Sequence, residues 1–173
     1  QLALWATTGF CTYVREDAGL AYLAGGFGLQ ILDVSDPVAP TPLGSWNPDE
    51  TTYELVKQGE VLYVAGLQGL TALLVTDPTD PVVLDASDVT NGFSCAVNES
   101  VVLLGTRWGG LHVLDPGSLD ELSNVGNAGF AMKLHLAGDA LYVADLSGGV
   151  LVWDISDPEN PVFLTEIPSD PNT

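Results

Sequence analysis

The run LAYLAGGFGLQILDVSDP, starting at Leu20, returns three times in altered form. VLYVAGLQGLTALLVTDP starts at Val61, VVLLGTRWGGLHVLDPGS at Val101 and ALYVADLSGGVLVWDISDP at Ala140. The central positions Tyr22, Tyr63, Leu103 and Tyr142 stand 41, 40 and 39 residues apart. A period of about 40 residues constrains the fold more than any other feature here. Each copy must be one structural unit that buries its faces against its neighbours.

Within each copy the signals are those of β-structure. Short runs rich in Val, Leu and Tyr are bounded by Gly, Pro, Asn and Asp, and no segment sustains a helical period. Each copy reads as four strands. In the last copy these are strand A at 130–136, B at 140–144, C at 150–155 and D at 162–167. Gly59 and Gly138 mark tight A–B turns, where a positive φ is needed. Gly28, Gly69, Gly110 and Gly149 stand just before strand C, where a close reversal leaves no room for a Cβ. Ser-Asp-Pro-x-x-Pro then ends strand C. Asp36, Asp77 and Asp157 accept from nearby backbone N–H groups, and the following Pro stops the ladder. The second Pro (Pro40, Pro81, Pro161) opens an outer strand, where a missing N–H does little harm.

Four antiparallel strands per repeat describe the blade of a β-propeller. The expected architecture is all-β, with blades at 10–49, 50–89, 90–127 and 128–168. Residues 2–8 are expected to be the outer strand of a preceding blade, because Trp5 holds the place that Trp46 holds one repeat later. That strand has no vacant slot in a four-blade ring, since the last blade has its own strand D. The count therefore favours a segment of a larger ring, or a ring shared between chains.

The chain resembles the LVIVD-repeat family of β-propellers. The motif residues are Leu29, Ile31, Asp33, Val34, Ser35, Asp36 and Pro37 in the first copy. In the fourth they are Leu151, Trp153, Asp154, Ile155, Ser156, Asp157 and Pro158. The second copy has Leu74 in the place of Asp33, and the third replaces the turn with PGSLDEL, so its C–D connection must differ. The resemblance implies a bacterial or archaeal secreted or cell-surface protein, and it carries over no catalytic residues. GGVLVWD, Gly148 to Asp154, also resembles the end of a WD40 repeat, but the Gly-His pair of those repeats does not occur here.

Charge narrows the partners. The chain has 23 acidic residues against 4 basic ones, a formal charge of −19. Binding of nucleic acid or anionic lipid needs clustered Lys and Arg, and Arg15, Lys57, Arg107 and Lys133 cannot supply it. No apolar run reaches the length that spans a bilayer. There is no signal-peptide pattern, and the chain opens on Gln1, which reads as processing or as a piece of something larger. Cys11 and Cys95 form no disulfide framework or zinc pattern, and both are expected as buried free thiols in apolar strands.

On a propeller the B–C and D–A loops gather at the channel mouth. The candidate ligand-binding residues there are Phe27, Gln68, Arg107, Trp108 and Asp145, with Asp49 from a D–A loop; Asn127 and Ser147 belong to the same loops. Arg107 beside Trp108, in a mouth of Asp, Asn and Gln, is the least ordinary feature. It suits stacking on a sugar or gripping a carboxylate, against the plainer roles of covering a blade and pairing with a local acid. No catalytic residue, metal or cofactor is assigned. There is no G-x-S-x-G elbow, His112 and His135 lie in different blades, and the Asp-rich turns lack calcium-loop spacing. Asn98-Glu99-Ser100 is a formal glycosylation sequon in an A–B turn. The expected function is a non-catalytic binding or scaffolding module that takes a protein, glycan or small ligand on the loop face, with self-association through exposed blade ends. The alternatives are an enzyme at the channel mouth and an architectural spacer. An enzyme requires Asp49, Glu50, Asp145 and a histidine to converge.

Overall fold

The alternating runs form hairpins in a computed structural model that describes residues 9–108, 110–126, 129–146 and 148–169. The outer strand expected at 2–8 lies outside the described residues, as do Asn127 and Ser147. The described residues contain strands and turns and no helix.

Among the described residues, sixteen strands make four antiparallel four-stranded sheets, each in simple up-and-down order. Sheet 1 holds β1 (Cys11–Asp17), β2 (Leu20–Gly25), β3 (Gly28–Asp33) and β4 (Thr41–Trp46). Sheet 2 holds β5 (Thr52–Gln58), β6 (Val61–Gly66), β7 (Gly69–Leu74) and β8 (Val82–Ala86). Sheet 3 holds β9 (Gly92–Val97), β10 (Val102–Thr106), β11 (Leu111–Leu114) and β12 (Glu121–Val125). Sheet 4 holds β13 (Ala131–Ala137), β14 (Ala140–Asp145), β15 (Gly149–Asp154) and β16 (Val162–Pro168). This is the architecture of a four-blade β-propeller-like fold.

Turn chemistry sets the hairpins. Gly28, Gly69, Gly110 and Gly149 all have positive φ, between 79° and 125°, at the entry to the third strand of each sheet. A Cβ on Gly69 would meet the Val89 carbonyl oxygen of the chain returning from β8. The Asp-Pro turns close as their chemistry requires. Asp36, Asp77 and Asp157 accept from the N–H groups of Val38, Thr79 and Glu159 at 3.0, 2.9 and 3.1 Å. In sheet 3 the connection differs, running through Asp115, which accepts from the N–H groups of Gly117 and Ser118. Leu119 turns at φ 53° and is buried.

Register makes the four central positions equivalent. Tyr22 faces Arg15 and Ile31, Tyr63 faces Val56 and Ala72, Leu103 faces Ala96 and Val113, and Tyr142 faces His135 and Val152. The core is divided among sheet pairs. One cluster joins sheets 1 and 2 through Tyr22, Leu29, Ile31, Leu55, Leu62 and Leu73. A second joins sheets 2 and 3 through Tyr63, Leu70, Val102 and Leu104. A third joins sheets 3 and 4 through Leu103, Val113, Leu134, Leu141 and Val143. Polar ties cross between sheets as well. The Tyr63 hydroxyl donates to the Pro116 carbonyl at 3.1 Å, and the Ser123 hydroxyl to that of Pro158 at 2.6 Å.

The expectation of two buried thiols holds for one. Cys95 is buried, and burial pushes its thiol pKa well up. Cys11 is exposed. It sits at the first position of β1, on the sheet that lacks a preceding neighbour among the described residues.

Candidate functional site

The inner strand of every sheet carries the same irregularity near its first residue. Pairing with the second strand skips Thr12 in β1, Tyr53 in β5, Phe93 in β9 and Met132 in β13. Such a bulge adds one residue to one side of a ladder and re-aims its side chain. Two of the four skipped residues are aromatic, and both meet the B–C loop of sheet 3.

There they form a row. The Tyr53 and Phe93 rings lie 5.0 Å apart, Phe93 meets Phe130 edge-on at 4.9 Å, and Phe130 lies 6.3 Å from Trp108. The Arg107 guanidinium covers the inner half of the row, 4.7 Å from the Tyr53 ring and 5.1 Å from Phe93. Its Nε is buried without a hydrogen-bond acceptor among the described residues, so the ring faces supply its electrostatic partner. Trp108 is different. It is 84% exposed and stands at the open end of the row.

Trp108 is also the lip of an open cleft of about 930 Å³ between sheets 2 and 3. One wall comes from β8 and the following loop, with Asp85, Asp88, Thr90 and Asn91. The other comes from sheet 3, with Thr106, His112, Asp120 and Glu121. His112 Nδ1 lies 3.3 Å from a Glu121 carboxylate oxygen and 2.9 Å from the Asn124 amide nitrogen. The cleft is therefore rich in oxygen acceptors and beside a free aromatic face.

The other sequence-predicted residues are spread over the same loops. Phe27 is buried beside Gly25 and serves the packing of its own hairpin. Asp49, at φ 58°, accepts from the Asn47 side-chain amide at 3.3 Å. The Gln68 backbone N–H donates to Glu50 at 2.6 Å; burial raises the pKa of Glu50, and this N–H offsets only part of the rise. Asp145 accepts from the Phe130 N–H at 3.2 Å and so orients the third ring of the row. Asp49, Glu50 and Asp145 thus hold separate loops, and His135 lies against Tyr142, with ring centroids 6.4 Å apart. Arg107 and Trp108 lie at the two ends of the row, and Arg107 sits over the Tyr53 and Phe93 rings and takes part in none of the ion pairs found among the described residues. Tyr53, Phe93 and Phe130 escaped the sequence reading. Their one available signal was aromatic side chains at the start of successive A strands.

Below the mouth, Glu54 and Lys133 meet from sheets 2 and 4 in an ion pair. Burial raises the pKa of Glu54, while Lys133 and the Cys95 N–H pull it down. For Lys133, burial acts to lower the pKa, but the hydrogen bond and charge of Glu54 outweigh it and the net shift is upward. The Lys133 ammonium also lies 4.4 Å from the centre of the Tyr13 ring on sheet 1.

Stacked antiparallel sheets with a loop face of this kind define a repeat protein of the β-propeller class. More particularly, two stretches match the family model of the LVIVD repeat, residues 18–47 and 128–167, which lie in the first and fourth copies. The stretches left unmatched hold the second and third copies, where Leu74 and the PGSLDEL turn depart from the motif. The structure is similar to that of the computationally designed Ika4 protein, with TM-score 0.74 and 12% identity over 88% of this chain and 96% of that one. It is also similar to the designed Ika8 protein, with TM-score 0.78 and 14% identity over 97% of this chain and 53% of that one. At these identities the likeness is one of fold. No curated protein matches the chain.

Proposed function

We propose that the chain is a non-catalytic binding module of a secreted or cell-surface protein, and that its loop face holds a glycan. The observation that carries this reading is the aromatic row ending in Trp108, 84% exposed beside an acceptor-rich cleft. A sugar presents an apolar C–H face and a rim of hydroxyls. The Trp108 ring offers a partner for the first, and Asp88, Asn91, Asp120 and Glu121 offer acceptors for the second. With a net charge of −19 the surface disfavours anionic glycans, so neutral or amino sugars fit best. A peptide with basic residues is the second reading, favoured by the same carboxylates.

The test is a glycan array and a basic-peptide array probed with labelled wild type and Trp108→Ala. Retention of neutral or amino glycans by the wild type, weakened about tenfold in the variant, is the expected result. Equal binding by both proteins removes Trp108 from the site. Binding confined to peptides transfers the site to the second reading, and a wild type that retains nothing favours a spacer role.

A further inference from the structure

Two sheet faces at the ends of the stack repeat, position by position, the chemistry of an interface already buried inside it. Between sheets 1 and 2, sheet 1 contributes Tyr22, Ala24, Leu29 and Ile31, and sheet 2 contributes Leu55, Leu62, Val64 and Leu73. Register places Tyr142, Ala144, Val150 and Val152 of sheet 4 where sheet 1 has the first four. It places Val14, Ala21, Leu23 and Leu32 of sheet 1 where sheet 2 has the second four. The trailing face of sheet 4 and the leading face of sheet 1 are thus the two halves of one interface, carried by opposite ends of one chain.

Those halves are not closed on each other. Tyr22, Tyr63 and Leu103 are 2%, 4% and 0% exposed, whereas Tyr142 is 37% exposed. Leu55 is 1% exposed and its counterpart Val14 is 62% exposed. Ala21, Leu32 and Val152 are buried, so exposure concentrates at Tyr142 and Val14. Among the described residues, the core clusters join sheets 1 to 2, 2 to 3 and 3 to 4. Sheet 4 reaches sheet 1 through the long Lys133 side chain over the Tyr13 ring.

We propose that the trailing face of sheet 4 docks on the leading face of sheet 1 of a second copy, and that two copies close one ring head to tail. The occupant follows from the continuity of the interface: the leading face of this chain already has the residue pattern that covers Tyr22 within the stack. Heterologous contacts of this kind form closed rings when the rotation fits, and each copy then uses both faces.

Sedimentation velocity of the 173-residue chain over a wide concentration range tests the idea. A species of about 36 kDa, twice the 18.1 kDa chain, is expected, and it gains population at high salt as the repulsion between two chains of charge −19 is screened. Tyr142→Arg and Val14→Arg, both at exposed positions, each raise the dissociation constant by roughly a hundredfold, the scale of losing a central interface anchor. Val83→Arg, on the exposed outer strand of sheet 2, leaves the dimer intact. Circular dichroism verifies that all three variants are folded. A monomer at every concentration, a ladder of larger species, or a dimer that survives both end-face substitutions overturns the proposal.

Discussion

Lys133→Met removes the cation that sits on Glu54 while keeping an unbranched apolar stem. The Glu54 side chain is 7% exposed and that of Lys133 is 52% exposed. After the substitution the carboxylate keeps one identified hydrogen bond, from the Cys95 N–H at 3.4 Å. Deleting one partner of a buried pair costs about 3–5 kcal/mol. Water already screens half of Lys133, which reduces the expected loss to about 2–3 kcal/mol at neutral pH. The pH dependence identifies the cause. Burial already raises the pKa of Glu54 in the wild type, so ionising it costs stability as the pH rises from the ordinary carboxylate range to its raised folded value. Without Lys133 that folded value moves further up and the cost grows. The gap between wild type and variant is therefore small below this window and complete above it. Lys133 is itself shifted upward by Glu54, so while Glu54 is ionised its contribution is full below the ordinary lysine pKa and lost only as the pH rises through the folded value, outside the range tested. Urea denaturation between about pH 4 and about pH 8 measures the gap. Glu54→Gln in the Lys133→Met background restores most of the loss. A gap below about 0.5 kcal/mol at the upper pH, or one that does not vary with pH, refutes the reasoning.

Other perturbations separate the forces that hold the sheets. Leu103→Ala empties a fully buried position between sheets 3 and 4 and costs about 3 kcal/mol in urea denaturation, whereas Tyr142→Ala, measured on the monomer, costs less than half of that. Similar losses for both would mean that the end face is as well packed as the interior. Gly69→Ala, at φ 125° against the Val89 carbonyl, lowers stability by more than about 2 kcal/mol; Gly59→Ala, at φ 57° with open space around it, costs about 1 kcal/mol. Hydrogen bonds hold three turn aspartates below the ordinary carboxylate range: Asp33 through the Ser35 hydroxyl and N–H, Asp77 through the Thr79 hydroxyl and N–H, and Asp154 through the Ser156 N–H and hydroxyl. Their contribution is present above the unfolded carboxylate pKa of about 4 and is lost as the pH falls through the folded values. The triple alanine variant accordingly shows a shallower loss of stability in acid, and an unchanged slope would dissociate these turns from acid denaturation.

What the sequence by itself determined is what is local and periodic. Each strand and turn is specified within a few residues: a glycine at positive φ at the entry to β3, β7, β11 and β15, an aspartate accepting from the N–H two residues on, and a proline that ends the ladder. Four near-copies of that instruction then imply stacked sheets, because a single sheet with two apolar faces has nowhere else to hide them. Of the candidate site, Arg107 beside Trp108 was legible in the sequence, and the aromatic row that they join lay beyond that reach. Tyr53, Phe93, Phe130 and Arg107 come from three sheets, and nothing in their neighbours along the chain announces that they meet. A bulge at the same place in each inner strand re-aims Tyr53 and Phe93, and it is a property of two strands in register, invisible in either alone. Exposure was decided at the same level. Tyr22 and Tyr142 occupy the same place in the repeat, yet one is buried and the other half open. Burial belongs to the neighbouring sheet, and only the tertiary structure shows which sheets have one.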